Sequence, residues 1–357
     1  MRCKYCFYAD VAKHRALKNV GVMQEETQEN LIEKALAYAD GYITFAFQGG
    51  EPTLAGLDYF RRHIELCKKY AKSGVEVYHS LQTNGYVIDE EWAKFFAENR
   101  FLVGISLDGP KDVHDGYRKD ISGEGTFNKV RNAVNLFNRY HVEYNVLCVV
   151  TRQTAQNANK MLNFFINGGF SYLQFIPCLN DFEGEGGDWS LSAEAYGEFL
   201  IKSFNKFYAC HLKKKFLSIR NFDNYISMLA GYPPESCGMS GVCTAYFVVE
   251  GNGNVYPCDF YVLDNYLGGN VNEDSFSKIH ESENFRRFVK ESLPVDTECK
   301  ACRWYALCRG GCRRYREPFE NGVPRLNILC KSYKMFFESC YKDLEKMTKD
   351  VLEREKA

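Results

Sequence analysis

The chain has 357 residues, of which 45% are hydrophobic, and its formal net charge is −1. This length and apolar content fit one large α/β unit with a smaller module and exclude a largely disordered chain. A near-neutral charge gives no electrostatic reason to expect nucleic-acid binding. Because no apolar run could span a bilayer and no signal-peptide core is present, we expect a cytoplasmic protein without a membrane partner.

The N-terminus carries a Cys-x2-Cys pair, Cys3 and Cys6, followed directly by the aromatic residues Phe7 and Tyr8. A metal site of this kind needs more ligands than two thiolates, yet the next cysteine in the chain is Cys67. Taken alone, the pair is a weak indication of a metal centre.

Five apolar runs rich in β-branched and aromatic residues predict buried strands at 42–47, 75–81, 101–107, 142–150 and 170–176. Helical patterns separate them. Phe127, Val130, Val134 and Phe137 recur at steps of three and four behind Thr126, the expected N-cap. Alternating strands and helices imply parallel strands with the helices outside, and a barrel and an open doubly wound sheet both fit.

Polar residues gather directly after these strands. Gln48 and Glu51 follow the first predicted strand, and Gln82 and Asn84 follow the second. In parallel α/β folds the active site lies at the carboxyl ends of the strands. Turn formation alone would explain the glycines and prolines found there. It explains less well why these four polar residues share one end of the sheet.

A boundary is predicted at 182–195, where the chain is acidic and rich in glycine. Helical segments follow, and then a cysteine-rich module with a β-hairpin that turns at Asn252 and Gly253. An amphipathic helix ends the chain. The predicted parts are therefore 1–181, a linker and helical segment at 182–236, the module at 237–333 and a C-terminal helix at 334–357.

Fifteen cysteines are present, and nine of them follow Ser236. An odd count in a long chain without a secretory signal favours metal sites over a disulfide framework. Eight thiols in the module would serve two four-thiolate sites, and their spacing alone fits zinc and iron–sulfur clusters equally. These eight are Cys237, Cys243, Cys258, Cys299, Cys302, Cys308, Cys312 and Cys330. Five cysteines without motif partners are expected to be buried or inert, namely Cys67, Cys148, Cys178, Cys210 and Cys340.

With Phe7, Cys3 and Cys6 resemble the second half of the Cys-x3-Cys-x2-Cys-aromatic motif of radical S-adenosylmethionine (SAM) enzymes. That motif supplies three thiolates to a 4Fe-4S cluster, whose fourth iron binds SAM. The first cysteine would lie two residues before Met1. The resemblance therefore predicts that a segment with this cysteine and the first strand of a partial (β/α)6 barrel is missing. It also predicts that the chain, with two thiolates, is inactive.

The resemblance extends to the residues that would bind SAM, which are Tyr8, Gln48, Gly49, Gly50, Glu51, Ser106, Arg118 and Leu179. Glu51 and the two glycines look like the family's GGE motif, which holds the SAM amino group. Ser106 and Arg118 match positions that hold the SAM carboxylate. The alternatives are ordinary ones: Glu51 as a surface carboxylate, and Arg118 as an exposed arginine or a structural ion pair.

The module is similar to a SPASM domain, which carries two auxiliary 4Fe-4S clusters, so the resemblance implies three clusters in all. The match runs without a gap from Cys243 to Cys330. The resemblance assigns the first auxiliary cluster to Cys237, Cys243, Cys258 and Cys312. It assigns the second to Cys299, Cys302, Cys308 and Cys330. Ligation by four cysteines leaves no open iron, which favours electron transfer over substrate binding.

The segments FAFQGGEPTLAGL, SLQTNG, CGMSGVC and VYPCDFYVLD together resemble the anaerobic sulfatase-maturating enzymes, from Cys3 to about Tyr333. This family oxidises a Cys or Ser of a sulfatase to Cα-formylglycine through a 5'-deoxyadenosyl radical, and auxiliary clusters accept the substrate electron. Asp259 matches the family's proposed base, although an isolated aspartate would more simply cap a turn. The implied partners are a sulfatase polypeptide and an electron donor such as flavodoxin or ferredoxin.

Two other interpretations stay open. The chain could be another SPASM-type radical SAM enzyme that forms thioether or carbon–carbon crosslinks in a peptide. It could also be a zinc-bound structural protein on an inactive barrel. The residues that match a SAM pocket argue against the second of these, because an inactive site has no reason to keep them.

Overall fold

The computed structural model describes residues 1–355. Its main sheet consists of six parallel strands in the order of the chain, each paired with the next. In chain order these are β1 (Tyr42–Phe47), β2 (Glu76–Thr83), β3 (Phe101–Ser106), β4 (Tyr144–Val150), β5 (Tyr172–Pro177) and β6 (Ser218–Ile219). The strand order follows the chain without the reversal of a doubly wound sheet, as in a (β/α) barrel, and β1 and β6 are the two edges of this partial barrel.

The five predicted strands are confirmed within a few residues, but the sixth strand was not predicted. β6 has two residues and lies in the segment that was expected to be linker and helix. It pairs Ser218 with Tyr172 and Ile219 with Leu173. A two-residue strand shows no periodicity in a sequence. The strand expected before Met1 lies outside the described residues.

Fifteen α-helices accompany the strands of the described chain. They are α1 (Phe7–Lys13), α2 (Glu25–Tyr38), α3 (Leu57–Lys69), α4 (Glu90–Glu98), α5 (Lys111–Tyr117), α6 (Phe127–Tyr140), α7 (Arg152–Gln156), α8 (Ala158–Asn167), α9 (Ala193–Leu212), α10 (Arg220–Leu229), α11 (Phe276–His280), α12 (Glu283–Ser292), α13 (Thr297–Lys300), α14 (Tyr305–Cys308) and α15 (Cys330–Glu355). None of the described helices is long and apolar enough to cross a membrane.

Helix α6 confirms the predicted helical pattern and the predicted N-cap position of Thr126. Thr126 holds the N-cap position without a capping hydrogen bond from its side chain. Its hydroxyl instead donates to the Arg118 carbonyl at 3.0 Å and lies 3.1 Å from His114 Nε2. These two hydrogen bonds replace the bond that the hydroxyl of an N-cap residue would otherwise accept from a backbone N–H of the first helical turn.

The two faces of the main sheet differ in burial. Side chains such as Leu81, Val103 and Phe175 are fully or almost fully buried in the main hydrophobic core. The alternate side chains, which point the other way because strands have a period of two, are mostly exposed or half-buried. We call this second side the open face; it comprises Tyr42, Thr44, Ala46, Tyr78, Ser80, Gln82, Leu102, Gly104, Ser106, Asn145, Leu147, Val149, Tyr172, Gln174 and Ile176.

The C-terminal module contains a small antiparallel sheet of β7 (Val248–Val249), β8 (Asn254–Tyr256) and β9 (Gly269–Asn270). β7 and β8 form the predicted hairpin, and Gly253 has a φ of +86° at its turn. The chain then ends in α15, which begins at Cys330, four residues before the predicted start at 334. This helix packs along α9, so the predicted linker segment and the C-terminal helix form one layer.

Candidate active site

The N-terminal cysteines lie in the turn that starts α1. The Cys6 backbone N–H donates to the Cys3 carbonyl at 3.2 Å, and Cys6 occupies the N-cap position of the helix. Burial raises the pKa of the Cys3 thiol, while the nearby Arg118 guanidinium works in the opposite direction. Arg118 Nη1 lies 4.0 Å from Cys3 Sγ. A cation beside this thiol favours the thiolate form that a metal ligand requires.

The Gly49-Gly50-Glu51 turn lies at the carboxyl end of β1. Both glycines have positive φ values, +84° and +56°, which other residues adopt only with strain. Tyr8 packs so close to Gly49 that an added Cβ would lie 3.5 Å from its ring. The predicted cofactor residue Tyr8 and the predicted GGE turn are thus adjacent.

Glu51 is held in place by the neighbouring strand end. Its Oε1 accepts from the hydroxyls of Thr53 at 2.6 Å and Thr83 at 2.8 Å, and its Oε2 accepts from the Asn84 backbone N–H at 2.7 Å. This carboxylate is therefore a fixed part of the site and not a surface group. Oε2 makes one contact, which leaves it able to accept a further donor.

Arg118 is buried in an ion pair with Asp108, a partner that the sequence analysis did not identify. Its Nε donates to Asp108 Oδ2 at 2.7 Å and its Nη2 to Asp108 Oδ1 at 3.2 Å. Tyr5 also donates to Asp108, and the Val149 backbone N–H donates at 2.9 Å. This arrangement is the structural ion pair that the sequence analysis gave as one alternative for Arg118. The one available signal for Asp108 was its place two residues after the end of β3, in the segment SLDGP.

The remaining predicted SAM residues also lie at the carboxyl ends of the strands. Ser106 is the last residue of β3, and Leu179 follows β5 and packs against the main core. Gln82, by contrast, belongs to β2 itself, because that strand extends to Thr83. The expectation that Gln82 follows the strand is wrong.

Asp259 belongs to the module and contacts Gln48, the residue that follows β1. Gln48 Nε2 donates to Asp259 Oδ2 at 3.3 Å, and the Cys258 thiol donates to Asp259 Oδ1 at 3.5 Å. Burial raises the pKa of this carboxyl, and the hydrogen bonds from Cys258 and Gln48 oppose that rise. A carboxylate with a raised pKa is a better proton acceptor than an exposed one.

The eight cysteines of the module fall into two groups in space. One cavity is lined by Cys237, Cys243, Cys258 and Cys312, together with Asp259. A second cavity is lined by Cys299, Cys302, Cys308 and Cys330. We call these the first and second quartets. Four thiols around one cavity fit a four-thiolate metal centre, and each set is the one that the resemblance assigned.

Burial separates these cysteines from the five that lack motif partners. Cys67, Cys148, Cys178, Cys210 and Cys340 are all buried, whereas the other ten are exposed or half-buried. The expectation that the five are buried or inert is confirmed. All fifteen thiols are free of disulfides.

Burial raises the pKa of the Cys308 and Cys312 thiols to about 12, so a metal must displace their protons.

A second buried ion pair, also missed from the sequence, joins α1 to the module. Arg314 Nη2 donates to Asp10 Oδ2 at 3.2 Å and to the Asn180 carbonyl at 2.8 Å. Asp10 lies four residues after Cys6, and Arg314 lies two residues after Cys312. The pair fixes the position of the N-terminal cysteines relative to the first quartet. The residues are 304 positions apart in the chain, so no local pattern could reveal the contact.

Comparison with known proteins agrees with this arrangement. Residues 1–165 match the Radical SAM superfamily, and residues 237–303 match the SPASM iron-sulfur cluster-binding domain. A cysteine-type anaerobic sulfatase-maturating enzyme of Clostridium novyi (strain NT) is 47% identical over 351 residues, which cover 98% of this chain and 93% of that protein. The chain belongs to the family of anaerobic sulfatase-maturating enzymes.

Two further comparisons extend the relationship. A serine-type anaerobic sulfatase-maturating enzyme of Bacteroides thetaiotaomicron is 32% identical, with 99% of this chain and 90% of that protein covered. The solved structure of native anSMEcpe with bound AdoMet and Cp18Cys peptide matches with a TM-score of 0.94 and 45% identity, over 98% of this chain and 96% of that one. The radical SAM and SPASM domains imply SAM and 4Fe-4S clusters, auxiliary ones included, so zinc ligation no longer fits.

Proposed function

We propose that this maturase oxidises a cysteine of a sulfatase polypeptide to Cα-formylglycine. The observation that carries the proposal is the position of Asp259, which contacts Gln48 at the sheet end and Cys258 of the first quartet. A base at this junction can serve both a substrate at the sheet end and an electron acceptor in the module. Cysteine is favoured over serine as the target because the cysteine-type relative is 47% identical and the serine-type one 32%.

We assign the cofactors to the residues already described. Cys3 and Cys6 would ligate the SAM-binding cluster, and the first and second quartets would each ligate an auxiliary cluster. SAM would be held by Tyr8, Gln48, Gly49, Gly50, Glu51, Ser106, Arg118 and Leu179. The fixed Glu51 carboxylate suits the SAM amino group, since its Oε2 has one contact to spare.

When bound, SAM and its cluster supply the hydrogen-abstracting 5'-deoxyadenosyl radical, and the auxiliary clusters supply an acceptor for one electron. The substrate loses one hydrogen atom from its β-carbon, then one electron and the thiol proton, and a carbon–sulfur double bond forms. Asp259 takes that proton. Its Oδ1 is the receiving oxygen, because Cys258 cannot donate to it once ligation removes the thiol proton. Water then converts the thioaldehyde to the aldehyde and releases sulfide.

Several finer assignments belong to the same proposal. The electron donor is a small redox protein such as flavodoxin or ferredoxin, and the enzyme works in the cytoplasm. The parts of the chain are the partial barrel at 1–181, the linker and helical segment at 182–236, the SPASM domain at 237–333 and the C-terminal helix at 334–357.

The test uses the enzyme with an N-terminal extension that places a cysteine four residues before Cys3; it is reconstituted without oxygen with iron and sulfide, then incubated with SAM and a reductant. Two sulfatase-derived peptides that differ in one residue, cysteine or serine, are the substrates, and mass spectrometry follows both. We expect the aldehyde from the cysteine peptide, with less or none from the serine peptide. Cleavage of SAM without any peptide product would favour a crosslinking SPASM enzyme instead.

A second experiment addresses the ligands of the SAM-binding cluster. A polypeptide that starts at Met1 offers Cys3 and Cys6, two of the three thiolates in the family motif. We therefore expect it to cleave SAM poorly, and we expect an extended version with a cysteine four residues before Cys3 to regain the activity. Equal SAM cleavage by both versions would contradict the assignment of these cysteines.

A further inference from the structure

Three arginines of the C-terminal module are buried on one short turn of 3-10 helix, Arg313–Arg316. Arg313, Arg314 and Arg316 are 2%, 4% and 3% exposed. A guanidinium keeps its charge in a protein, and a charge that water cannot reach requires a partner of opposite sign. The partners of these three side chains therefore show which charges the folded chain balances by itself.

Two of these three charges are balanced by a carboxylate. Arg314 Nη2 donates to Asp10 Oδ2 at 3.2 Å, and Arg313 Nη2 donates to Glu291 Oε2 at the same distance. The Cζ atom of Arg313 also lies 4.5 Å from the centre of the Tyr261 ring, and an aromatic face stabilises a cation further. Neither Arg313 nor Arg314 therefore requires another anion.

Arg316 has hydrogen bonds but no counter-charge. Its Nη1 donates to the Ser292 carbonyl at 3.4 Å, and its Nη2 donates to the Pro294 carbonyl. Among residues 1–355, no carboxylate pairs with this guanidinium. Backbone carbonyls satisfy N–H groups but carry only partial charges, so they leave the unit charge unbalanced. A buried charge without a partner is strongly destabilising, which indicates that an anion beyond the polypeptide balances Arg316.

Arg316 is close to a cysteine of each quartet. It lines the cavity of the first quartet together with Ser292, whose hydroxyl accepts from the Cys243 backbone N–H at 3.0 Å. Ser292 and Pro294 belong to the segment that leads from α12 to Cys299 of the second quartet. Burial raises the pKa of the Cys243 and Cys299 thiols, and the Arg316 guanidinium is among the charges that oppose this rise on each. One buried cation therefore acts on both quartets.

We propose that Arg316 is the counter-charge of the two auxiliary clusters and raises their reduction potentials, which favours transfer of the substrate electron into the module. A 4Fe-4S cluster held by four thiolates is an anion, and it becomes more negative when it takes up an electron. A buried cation beside it therefore stabilises the reduced form more than the oxidised form. The substrate radical loses one electron and the cluster of the first quartet gains it, so the step needs no other oxidant. The inference rests on the proposed assignment of clusters to the quartets.

The test is a redox titration followed by electron paramagnetic resonance of the reduced clusters, without SAM or peptide. The parent protein carries Cys3→Ala and Cys6→Ala, so that the signals come from the two quartets alone. Arg316→Gln removes the charge but keeps an amide donor, whereas Arg316→Lys keeps the charge.

We expect Arg316→Gln to lower the ratio of reduced to oxidised cluster at a given potential about tenfold. This is the effect of one unit charge at roughly 10 Å and an effective dielectric constant of about 20. For a one-electron couple it corresponds to a midpoint potential about 59 mV lower. Arg316→Lys should keep the midpoint near that of the parent. Arg303→Gln is the matched control, because Arg303 directly follows Cys302 but is exposed, and its charge is screened by solvent.

An unchanged midpoint in Arg316→Gln, or an equally lowered one in Arg316→Lys, would overturn the proposal. If Arg316→Gln retains no iron, normal loading of Arg316→Lys would support the need for a charge. Failure of both variants to load would instead give Arg316 a purely structural role. The iron content of the parent reports the cluster assignment separately. About eight iron atoms per chain, four for each cluster, with no shift in Arg316→Gln would reject only this inference, whereas a parent without clusters would overturn the assignment as well.

Discussion

At the residue scale, the buried ion pair between Asp108 and Arg118 is the contact on which the predicted SAM site depends most. The side chains are 4% and 7% exposed, so neither charge is screened by water. Asp108 also accepts from the Val149 backbone N–H, which joins β3 to β4. The Arg118 guanidinium lowers the pKa of Asp108 against the opposing effect of burial. The pair therefore holds the guanidinium next to Cys3.

Replacing Asp108 by Asn should leave the Arg118 charge buried without a counter-charge. Breaking a buried pair in this way costs about 3–5 kcal/mol. We expect the free energy of unfolding to fall by roughly that amount, measured by denaturant unfolding of the iron-free protein and followed by circular dichroism. Asp112→Asn is the control, because Asp112 pairs with Lys160 on the surface, where such pairs contribute at most about 1 kcal/mol. Similar losses in the two variants would contradict the account.

At the element scale, helix α3 contacts strand β2 through the buried His63 and the half-buried His79. His63 Nε2 lies 3.3 Å from His79 Nδ1 and 3.4 Å from Cys67 Sγ. Burial lowers the pKa of His63 to about 3, with a further contribution from His79, and burial lowers the pKa of His79 to about 4. Both rings are therefore neutral in the folded protein near pH 7.

These histidines should make the protein less stable in acid. In the unfolded chain they take up protons near pH 6.5. As pH falls from about 6.5 towards 4, the unfolded state binds more protons than the folded state, and the free energy of unfolding decreases. His63→Gln should weaken this pH dependence, measured by denaturant unfolding at several pH values. Above pH 7 both proteins should show the same dependence. An unchanged slope between pH 4 and 6.5 would contradict the neutral buried state of His63.

At the scale of the whole molecule, α9 and α15 tie the partial barrel to the SPASM domain. A Cβ on Gly197 of α9 would lie 2.9 Å from Met335 Sδ and 3.2 Å from Ser332 Cα. The Ser332 hydroxyl donates to the Ala193 carbonyl at 2.6 Å across the same interface. Cys330, of the second quartet, is the first residue of α15. Helix packing here therefore positions a proposed cluster ligand.

Gly197→Leu should force the two helices apart. Overpacking of this kind costs about 1–3 kcal/mol, so we expect a lower thermal midpoint and less iron retained per chain after reconstitution. Asn205→Leu places the same side chain on the exposed face of α9 and should leave both quantities near their original values. Full iron content in Gly197→Leu would show that α15 does not need this packing to present Cys330.

The sequence predicted the features that depend on the composition or spacing of residues near one another in the chain. Each of the five longer strands is rich in apolar, β-branched and aromatic residues. Thiolate ligation demands cysteines at set spacings, so the two quartets could be assigned by resemblance. The contacts of Asp108 with Arg118 and of Asp10 with Arg314 depend on how distant segments fold together. β6 depends on pairing with β5. None of these leaves a periodic or spacing signal in the sequence.

The proposed reaction depends on Asp259 as the acceptor of the substrate proton, and the most direct measurement compares Asp259→Asn with the enzyme that keeps Asp259. Both carry the N-terminal extension with a cysteine four residues before Cys3. They are loaded with clusters and given SAM, reductant and the cysteine peptide, and SAM cleavage and peptide oxidation are measured in the same reaction. We predict that the variant still cleaves SAM, while peptide oxidation falls by about 100-fold or more, as for loss of a general base. Peptide oxidation at the original rate would contradict the account.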